Sequence, residues 1–332
     1  MRVPKIAIAS FSLLLLSSPA FATDKADDKG VWTLSYENDV FTGTDSNYTN
    51  GVRAAYASPE TRIPGWMEDA VDSVPLFDSS GHKRWEAAIG QSMFTPKNLT
   101  ATALQTNDRP YAGWLYGTVG VLSDTGRRLD EFQLTLGVVG PLSRAEQTQK
   151  VVHRAIGSPI PQGWDNQLRT EPGIVLTYQR SFERSLKWDM PFGTGMDITP
   201  GFGGNLGNIY TNANVGGFLR FGTDLESDYG PPVINPNLSG SDFFKPNKDF
   251  TWYLFTGVQG KAVARNIFLD GNTFTHSHSV DKQPFVGELQ MGFVFSFLKE
   301  VRMGYTQTFN TKEFIGQSQH NNFGVISLSW RY

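Results

Sequence analysis

The chain has 332 residues, a formal net charge of −3 and no cysteine. A charge so close to neutral excludes the basic footprint of a nucleic-acid-binding protein and any polybasic membrane patch. The absence of cysteine excludes a disulfide framework and thiolate metal sites. The 34 Gly, 24 Phe, 11 Tyr and 8 Trp occur without a long apolar block. This composition is typical of transmembrane β-barrels, whose strands alternate between lipid-facing and lumen-facing residues.

The first 22 residues have the three parts of a secretory signal peptide. Basic Arg2 and Lys5 precede an apolar run from Ile6 to Leu16, and a small-residue exit follows at 20–22. The run is too short for a membrane helix, and no other stretch reaches the roughly 20 apolar residues that one needs. We therefore expect residues 23–332 to form the mature protein and any membrane passage to use strands.

The stretch from Tyr36 to Gly51 predicts two short strands joined by a polar tip. Apolar and polar residues alternate from Trp32 to Tyr36 and again from Val52 to Tyr56, the period of half-buried strands. Asp39 and Thr49 share the polar face near one rim, and their oxygen atoms suit a hard cation such as Ca²⁺. The same residue types are ordinary in hairpin loops, so this stretch alone leaves both interpretations open.

Three more strands and a helix are predicted in the next part of the chain. The strands are Trp85 to Met93, Pro110 to Leu122 and Arg128 to Val138, and the tight connection between the last two predicts a periplasmic turn. The alternation then stops, and helix-forming residues at three- and four-residue spacings predict a short amphipathic helix over Ser143 to Ile156.

Alternation resumes at residue 174 and continues to the end of the chain. The expected strands are Ile174 to Phe182, Lys187 to Gly201, Val215 to Gly222, a long span from Phe250 to about Asp270, Phe285 to Phe297, Val301 to Phe309 and a last strand that ends at Tyr332. Twelve strands result, an even number as in bacterial single-chain barrels. A sandwich of the same strands is the alternative architecture. The terminal aromatic residue resembles the signal through which the barrel-assembly machinery recognises its substrates.

Both termini are expected in the periplasm, which places the extracellular loops near residues 41–47, 94–109, 139–173, 202–213, 271–282 and 312–320. All candidate site residues fall on that side. The segment from Gly201 to Gly204 lacks the following helix of a phosphate loop, so it predicts turns at the rim. His276 and His278 have no evident third ligand and are interpreted as loop residues.

Three blocks of residues resemble the lipid A 3'-O-deacylase family of outer-membrane barrels. They are the hairpin, the segment from Asn107 to Gly113, and Gln149 to Gly157 followed by Gly163 to Gln167. The resemblance covers nearly the whole mature chain. It implies a twelve-stranded barrel in the bacterial outer membrane that hydrolyses the 3'-linked acyl ester of lipid A in lipopolysaccharide with a calcium ion and a histidine.

The resemblance implies roles for residues of the hairpin. Asp39 corresponds to the calcium ligand, and Asn38 and Thr49 correspond to its neighbours in the site. Because Asn38 and Asp39 are adjacent, a regular strand would point them to opposite faces of the sheet. We expect a bulge at the strand end that lets both side chains reach the site.

The family's remaining site residues correspond to the second and third extracellular loops. The resemblance implies that His153 is the general base, with Gln149 one helical turn before it, and Lys97 is the nearest candidate for the family's loop lysine. A neutral histidine accepts a proton from water near pH 7. We expect the helix to fold over the barrel mouth. Arg109 either contacts a lipid A phosphate or closes a salt bridge at the rim.

Two other functions stay open at this level. A barrel phospholipase is a different esterase and would need a serine beside the histidine; the chain has no Gly-x-Ser-x-Gly elbow, which barrel phospholipases also lack. A non-enzymatic pore or adhesin would need neither the helix nor the hairpin residues. The outer-membrane bilayer is a partner in every case.

Overall fold

The structure is a computed structural model that describes residues 26–39, 47–60, 63–182, 185–234 and 240–332, without the side chains of residues 47–49 and 156. The predicted signal peptide and the tip of the hairpin lie outside these ranges. We refer to the end at which the first strand begins and the last strand ends as the periplasmic end and to the opposite end as the extracellular rim.

Twelve antiparallel strands form a closed barrel. Neighbouring strands pair around the ring, and the β6–β8 and β1–β13 pairings close it. The barrel strands are β1 Val31–Asn38, β2 Asn47–Ala57, β3 His82–Thr95, β4 Ala112–Asp124, β5 Arg128–Val139, β6 Glu171–Phe182, β8 Gly195–Gly207, β9 Tyr210–Gly222, β10 Phe250–Asn266, β11 Phe285–Phe297, β12 Val301–Asn310 and β13 Asn321–Arg331. A short strand β7, Leu186–Asp189, pairs with β8 at the periplasmic end. The closed ring confirms the barrel and rules out the sandwich.

Each strand presents alternate residues to the lumen and to the outer wall. In β11, Leu289, Met291 and Phe293 are exposed on the outer wall, whereas Glu288 and Gln290 between them are buried in the lumen. This is the arrangement expected when apolar side chains face lipid and polar ones face the interior. The alternation of apolar and polar residues in the sequence therefore corresponds to the two faces of the barrel wall.

Three helices lie in the connections between strands: α1 Gly65–Asp72, α2 Ala145–Ile156 and α3 Ile267–Asp270. The prediction of α2 is confirmed within two residues at its start. Across the described ranges, none of the helices combines the length and the apolar character that a membrane-crossing helix requires.

Two predictions in this region are wrong: the single strand from Lys187 to Gly201 and the loop at 202–213. The strand is split into β7 and β8, and β8 continues to Gly207, so only residues 208–209 connect it to β9. The predicted rim turns around Gly203 lie inside β8. A Cβ atom at Gly203 would lie 2.0 Å from the Gln179 Oε1 and 2.3 Å from the Tyr178 carbonyl oxygen. Glycine at this position therefore permits the close contact between β8 and β6.

The described part of the connection between β9 and β10, residues 223–234 and 240–249, enters the lumen from the periplasmic end. Its Asp242 carboxylate forms a bidentate pair with Arg53 of β2, at 2.7 and 3.1 Å, and its Asp228 contacts Arg302 of β12 at 3.0 Å. Both arginines lie on lumen-facing positions. The described part of this connection therefore fills the lower lumen and leaves a cavity above it.

The segment before β1 is bound to the periplasmic end by charge. The Asp27 carboxylate accepts hydrogen bonds from Arg84 of β3 and Arg331 of β13, each at 2.5 Å. Burial alone would raise the pKa of Asp27, but the two guanidinium groups outweigh it and hold the pKa below its ordinary value. These ion pairs connect the segment just before β1 to the last strand, β13.

Candidate functional site

One residue of the hairpin, Asn38, lies at the extracellular rim on the outward face of the wall. Asn38 ends β1, and its Nδ2 donates to the Tyr36 hydroxyl at 2.9 Å. These two residues alternate with Glu37, which is buried on the lumen side. Asn38 lies opposite Asn50 of β2, and Asn50 lies opposite Met93 of β3. A continuous outward row therefore leads from the hairpin to β3.

Asp39 follows β1 directly and is fully buried. The bulge that we expected at the end of β1 does not occur within its described residues, because β1 pairs with β2 in regular register through Asn38. A register shift lies instead in the pairing of β2 with β3, between Tyr48 and Asn50. The extra residue is Thr49, whose side chain lies outside the described residues. Asn38 and Asp39 thus lie at the same rim as neighbours in the chain, and their roles and that of Thr49 stay predictions.

Helix α2 packs against the outer wall. Its first residue belongs to a buried cluster whose members come from β3, the loops on either side and α2 itself: Met93, Leu99, Tyr111, Ala145 and Trp164. Met93 has the parity of Ile89, which is exposed on the lipid side. The expectation that this loop folds over the barrel mouth is wrong, because its apolar contacts are with the outward side of the sheet.

A glycine lets the start of α2 approach the wall closely. A Cβ atom at Gly113 of β4 would lie 2.1 Å from the Ser143 Oγ and 2.3 Å from the Ala145 Cβ. Around this contact, the Gly140 amide donates to the Gly113 carbonyl at 3.0 Å, and the Gln91 Nε2 donates to the Ser143 carbonyl at 2.6 Å. The last residue of the 107–113 block is therefore glycine for a steric reason.

The third block, at 163–167, orients the side chain of Gln149. Trp164 is buried against the Tyr111 ring, at 5.0 Å between centroids, and its indole Nε1 donates to the Gln149 Oε1 at 2.8 Å. This bond leaves Nε2 as the donor that Gln149 presents, and Nε2 is buried without a hydrogen-bond partner among the described residues. Sequence reasoning missed this role of Trp164, although the block that contains it was recognised.

His153 lies one turn after Gln149 and is 5% exposed. Its Nδ1 is 2.7 Å from the Pro159 carbonyl oxygen. A carbonyl only accepts hydrogen bonds, so Nδ1 carries the proton and the neutral ring has its lone pair on Nε2. Gly157 ends the helix at φ +73°, which turns the chain back so that Pro159 reaches the ring. The fold therefore selects the tautomer that accepts a proton at Nε2.

Two other predicted residues lie in the second extracellular loop. Lys97 is exposed to solvent. Arg109 is 1% exposed, its Nη2 donates to the Glu313 Oε2 at 2.6 Å, and its guanidinium lies over the rings of Phe94 and Phe314. Of the two alternatives for Arg109, the structure contains the rim salt bridge. The loop histidine His278 contacts the Asp108 carbonyl through Nε2 at 2.7 Å, in keeping with a structural role.

The rim carries oxygen donors of the kinds that calcium prefers. They are the buried Asp39 carboxylate and the amide oxygens of Asn38 and Asn50, which lie on paired strand positions. Ca²⁺ takes six to eight oxygen ligands, and one carboxylate with neutral oxygens is a common part of such a set. Within the described ranges, no group of three or more His, Cys, Asp or Glu side chains would hold a metal.

The comparison with family models and the comparison with solved structures agree. Residues 8–332 match the family model described as outer membrane protein LpxR. Among solved structures, the chain is similar to LpxR from Salmonella typhimurium, with a TM-score of 0.73 and 18% identity over 90% of this chain and 99% of that chain. The β domain of the Bordetella autotransporter BrkA gives a TM-score of 0.40 and 11% identity over 92% and 99% of the two chains, a score too low to carry an argument. No curated protein sequence matches the chain.

Proposed function

This chain belongs to the LpxR family of outer-membrane proteins, and we propose that it is a lipid A deacylase. In this proposal it hydrolyses the 3'-linked acyl ester of lipid A in the outer leaflet. The observation that carries the proposal is the His153 imidazole, held by the Pro159 carbonyl with its Nε2 lone pair available, on a helix that packs against the lipid-facing wall.

The position of α2 suits a lipid substrate. Acyl chains of the outer leaflet run along the outer wall, and α2 lies on that wall at the extracellular end. An ester near the sugar headgroup therefore reaches the helix without leaving its leaflet. A site inside the lumen would require the acyl chains to cross the barrel wall, which a row of paired strands prevents.

His153 acts as the general base. Its Nε2 takes a proton from a water molecule as that water attacks the ester carbonyl. When the bond from the carbonyl carbon to the sugar oxygen breaks, the imidazolium gives the proton to that oxygen, which leaves as a hydroxyl. The Pro159 carbonyl holds Nδ1–H throughout and stabilises the imidazolium. The acid product and the lipid A alcohol leave, and the ring returns to its neutral form.

Gln149 stabilises the negative charge that develops on the ester carbonyl oxygen. Trp164 donates to its Oε1, so its Nε2 remains as a buried amide donor, which in this proposal binds the ester carbonyl oxygen. Donors fixed before the reaction stabilise a developing oxyanion more than mobile water does, because they need no reorganisation. Lys97, exposed at the same rim, contributes positive charge toward the oxyanion or a lipid A phosphate.

We propose calcium as the cofactor, held by Asp39 with Asn38 beside it and Thr49 completing the group. Bound there, the ion supplies a Lewis acid for the ester carbonyl oxygen. The oxygen-only donor set of the rim supports this choice.

The test is lipid A hydrolysis by purified, folded protein with saturating Ca²⁺, followed by mass spectrometry. His153→Ala should lower turnover by roughly 10² to 10⁴, the usual contribution of a positioned base. His320→Ala is the matched control, because His320 is also a rim histidine whose Nδ1 contacts a backbone carbonyl, that of Asn310 at 3.2 Å. Activity of His153→Ala within a few-fold of the unmodified protein contradicts the proposal.

The same assay with a phospholipid substrate separates the phospholipase alternative. A phospholipase of the serine type would place a hydroxyl beside the histidine, and in the described part of the chain no serine hydroxyl bonds to the His153 ring. Release of fatty acid from phospholipid but not from lipid A would favour that alternative. Recognition of Tyr332 by the barrel-assembly machinery stays a prediction.

A further inference from the structure

A second helix lies on the outer wall, at its periplasmic end. The buried residues of α1 are Met67 and Val71, which form a cluster with Ile63 and with Val121 of β4. Partly buried apolar residues of neighbouring strands and of the following loop pack against this cluster: Phe77, Trp85, Val119 and Phe132. Helix α1 therefore spans the wall across β3, β4 and β5.

The residues beneath α1 face outward. Leu122 lines the lumenal cavity, so Val121 beside it faces the opposite side of β4. Glu131 and Gln133 line the same cavity, so Phe132 between them faces the outside of β5. In a barrel that spans a membrane, these outward positions belong to the lipid-facing wall. Helix α1 thus covers a surface that lipid would otherwise occupy.

The loop after α1 forms a separate, polar level closer to the periplasm. The Ser123 Oγ, one residue before the end of β4, donates to the Asp78 carbonyl, and the Asp78 amide donates to Asp130, two residues into β5. Asp130 also accepts from the Arg180 Nε at 2.6 Å. Since Val121 lies farther from the strand end than Ser123, α1 lies on the membrane side of this polar level.

Helix α1 has two chemically different flanks. At 100° per residue, Trp66 and Ala70 lie on one side of the buried stripe, and Glu68 and Asp72 lie on the other. The Glu68 Oε1 contacts the Lys83 Nζ at 2.6 Å, and Lys83 is the second residue of β3. The acidic flank therefore faces the periplasmic end. The opposite flank faces the membrane and carries Trp66, which is 65% exposed.

A row of aromatic residues on the outer wall leads to the strands that α1 covers. Trp330, Trp32 and Tyr56 lie on paired positions of β13, β1 and β2, and the Trp32–Tyr56 and Tyr56–Trp85 rings are 5.0 and 5.1 Å apart. Tryptophan and tyrosine favour the boundary between lipid and water. On β4 the position opposite Trp85 is Val121, which α1 covers. At this point the helix supplies the aromatic side chain that the strand lacks.

We propose that α1 is an interfacial helix that seats Trp66 and Ala70 among the phospholipids of the inner leaflet, with its acidic flank in the periplasmic water. Three observations support this occupant: the lipid-facing wall beneath the helix, the continuity with the aromatic row, and the polar level on its periplasmic side. The proposal is independent of the catalytic site at the other end of the wall.

The test uses single-cysteine variants, which are unambiguous because the chain has no cysteine. A nitroxide label is attached to Trp66→Cys, to the control Asp72→Cys, and to Val258→Cys, an exposed position on the outward side of β10. The protein is reconstituted in vesicles of phosphatidylethanolamine and phosphatidylglycerol. The collision rates of each label with oxygen, which concentrates in lipid, and with a water-soluble nickel chelate are then measured.

We expect the label at 66 to favour oxygen over nickel, as at 258, and the label at 72 to favour nickel. Preference for nickel at both 66 and 72 would overturn the proposal and place the Trp66 flank in water, open to a soluble periplasmic partner. Heat-modifiability verifies that each variant is folded. If Trp66→Cys does not fold, Ala70→Cys on the same flank replaces it, with the same two outcomes.

Discussion

Helices α1 and α2 lie on the same outer wall, over β3 and β4, but at opposite ends and held in different ways. Helix α2 is positioned by specific contacts. The Trp164 indole donates a hydrogen bond to Gln149, the Pro159 carbonyl accepts one from His153, and the start of the helix lies close to Gly113. Helix α1 is held mainly by apolar side chains in one cluster. Apolar packing fixes which face of a helix meets the wall. A catalytic site also needs the position of individual side-chain atoms to be fixed, and directional hydrogen bonds provide this. The difference predicts where substitutions impair activity.

Removal of the calcium ligand is expected to have a larger effect than any of the substitutions that follow. Asp39→Asn, or treatment with EGTA, should lower lipid A deacylation by about 10² or more, because loss of one group that stabilises the oxyanion costs about 10² to 10³ in turnover. Added Ca²⁺ should restore the EGTA-treated protein but not the variant. The label at position 66 on α1 should keep its lipid exposure in both cases. Full activity in the chelator would remove calcium from the mechanism.

A pair of glycine substitutions compares the two helices directly. Gly113→Ala places a Cβ against Ser143 and Ala145, so it should displace α2 and lower turnover about 10- to 100-fold, since shifts of about 1 Å can cost that much. Gly65→Ala at the start of α1 has no atom within 4 Å of the new Cβ and should leave turnover unchanged. Equal activity of the two variants would show that the start of α2 tolerates displacement.

A pair of tryptophan substitutions separates ring packing from hydrogen bonding. Trp164→Phe keeps a ring beside Tyr111 but removes the N–H that holds Gln149, so kcat should fall about five- to tenfold, the worth of one hydrogen bond, with KM little changed. Trp66→Phe on α1 should leave both constants as they are. A rise in KM without a change in kcat for Trp164→Phe would assign Gln149 to substrate binding instead.

The smallest effect concerns the base of the wall and neither helix. The pKa of Asp27 is lowered in the folded protein by Arg84 and Arg331. Its contribution to stability is therefore present above the unfolded pKa of about 3.9 and is lost as the pH falls through the folded value. Asp27→Asn should lower the midpoint of heat modification by a few degrees at pH 7. The difference from the unmodified protein should shrink as the pH falls below the unfolded pKa of Asp27, and deacylation should not change.

The period-two alternation of the sequence determined the strands, their two faces and their number. Leu289, Met291 and Phe293 against Glu288 and Gln290 specify both sides of the wall without any distant contact, because the pleat of a strand imposes the period locally. Spacing likewise located α2, and the matched blocks located His153 and Gln149. The glycine-rich end of β8 was misassigned because glycine contributes no hydropathy to the pattern, although Gly203 is required by the neighbouring strand.

The tertiary structure decided which side of the wall carries the site. Helix α2 has an apolar stripe that fits equally well over the mouth or against the outer face, and only contacts from distant segments, with Met93 and Tyr111, select the outer face. The same holds for the tautomer of His153, which depends on Pro159 after a glycine turn, and for the entry of the described part of the connection between β9 and β10 into the lumen through Asp242 and Arg53. A local pattern reports burial, but it does not report which partner provides that burial.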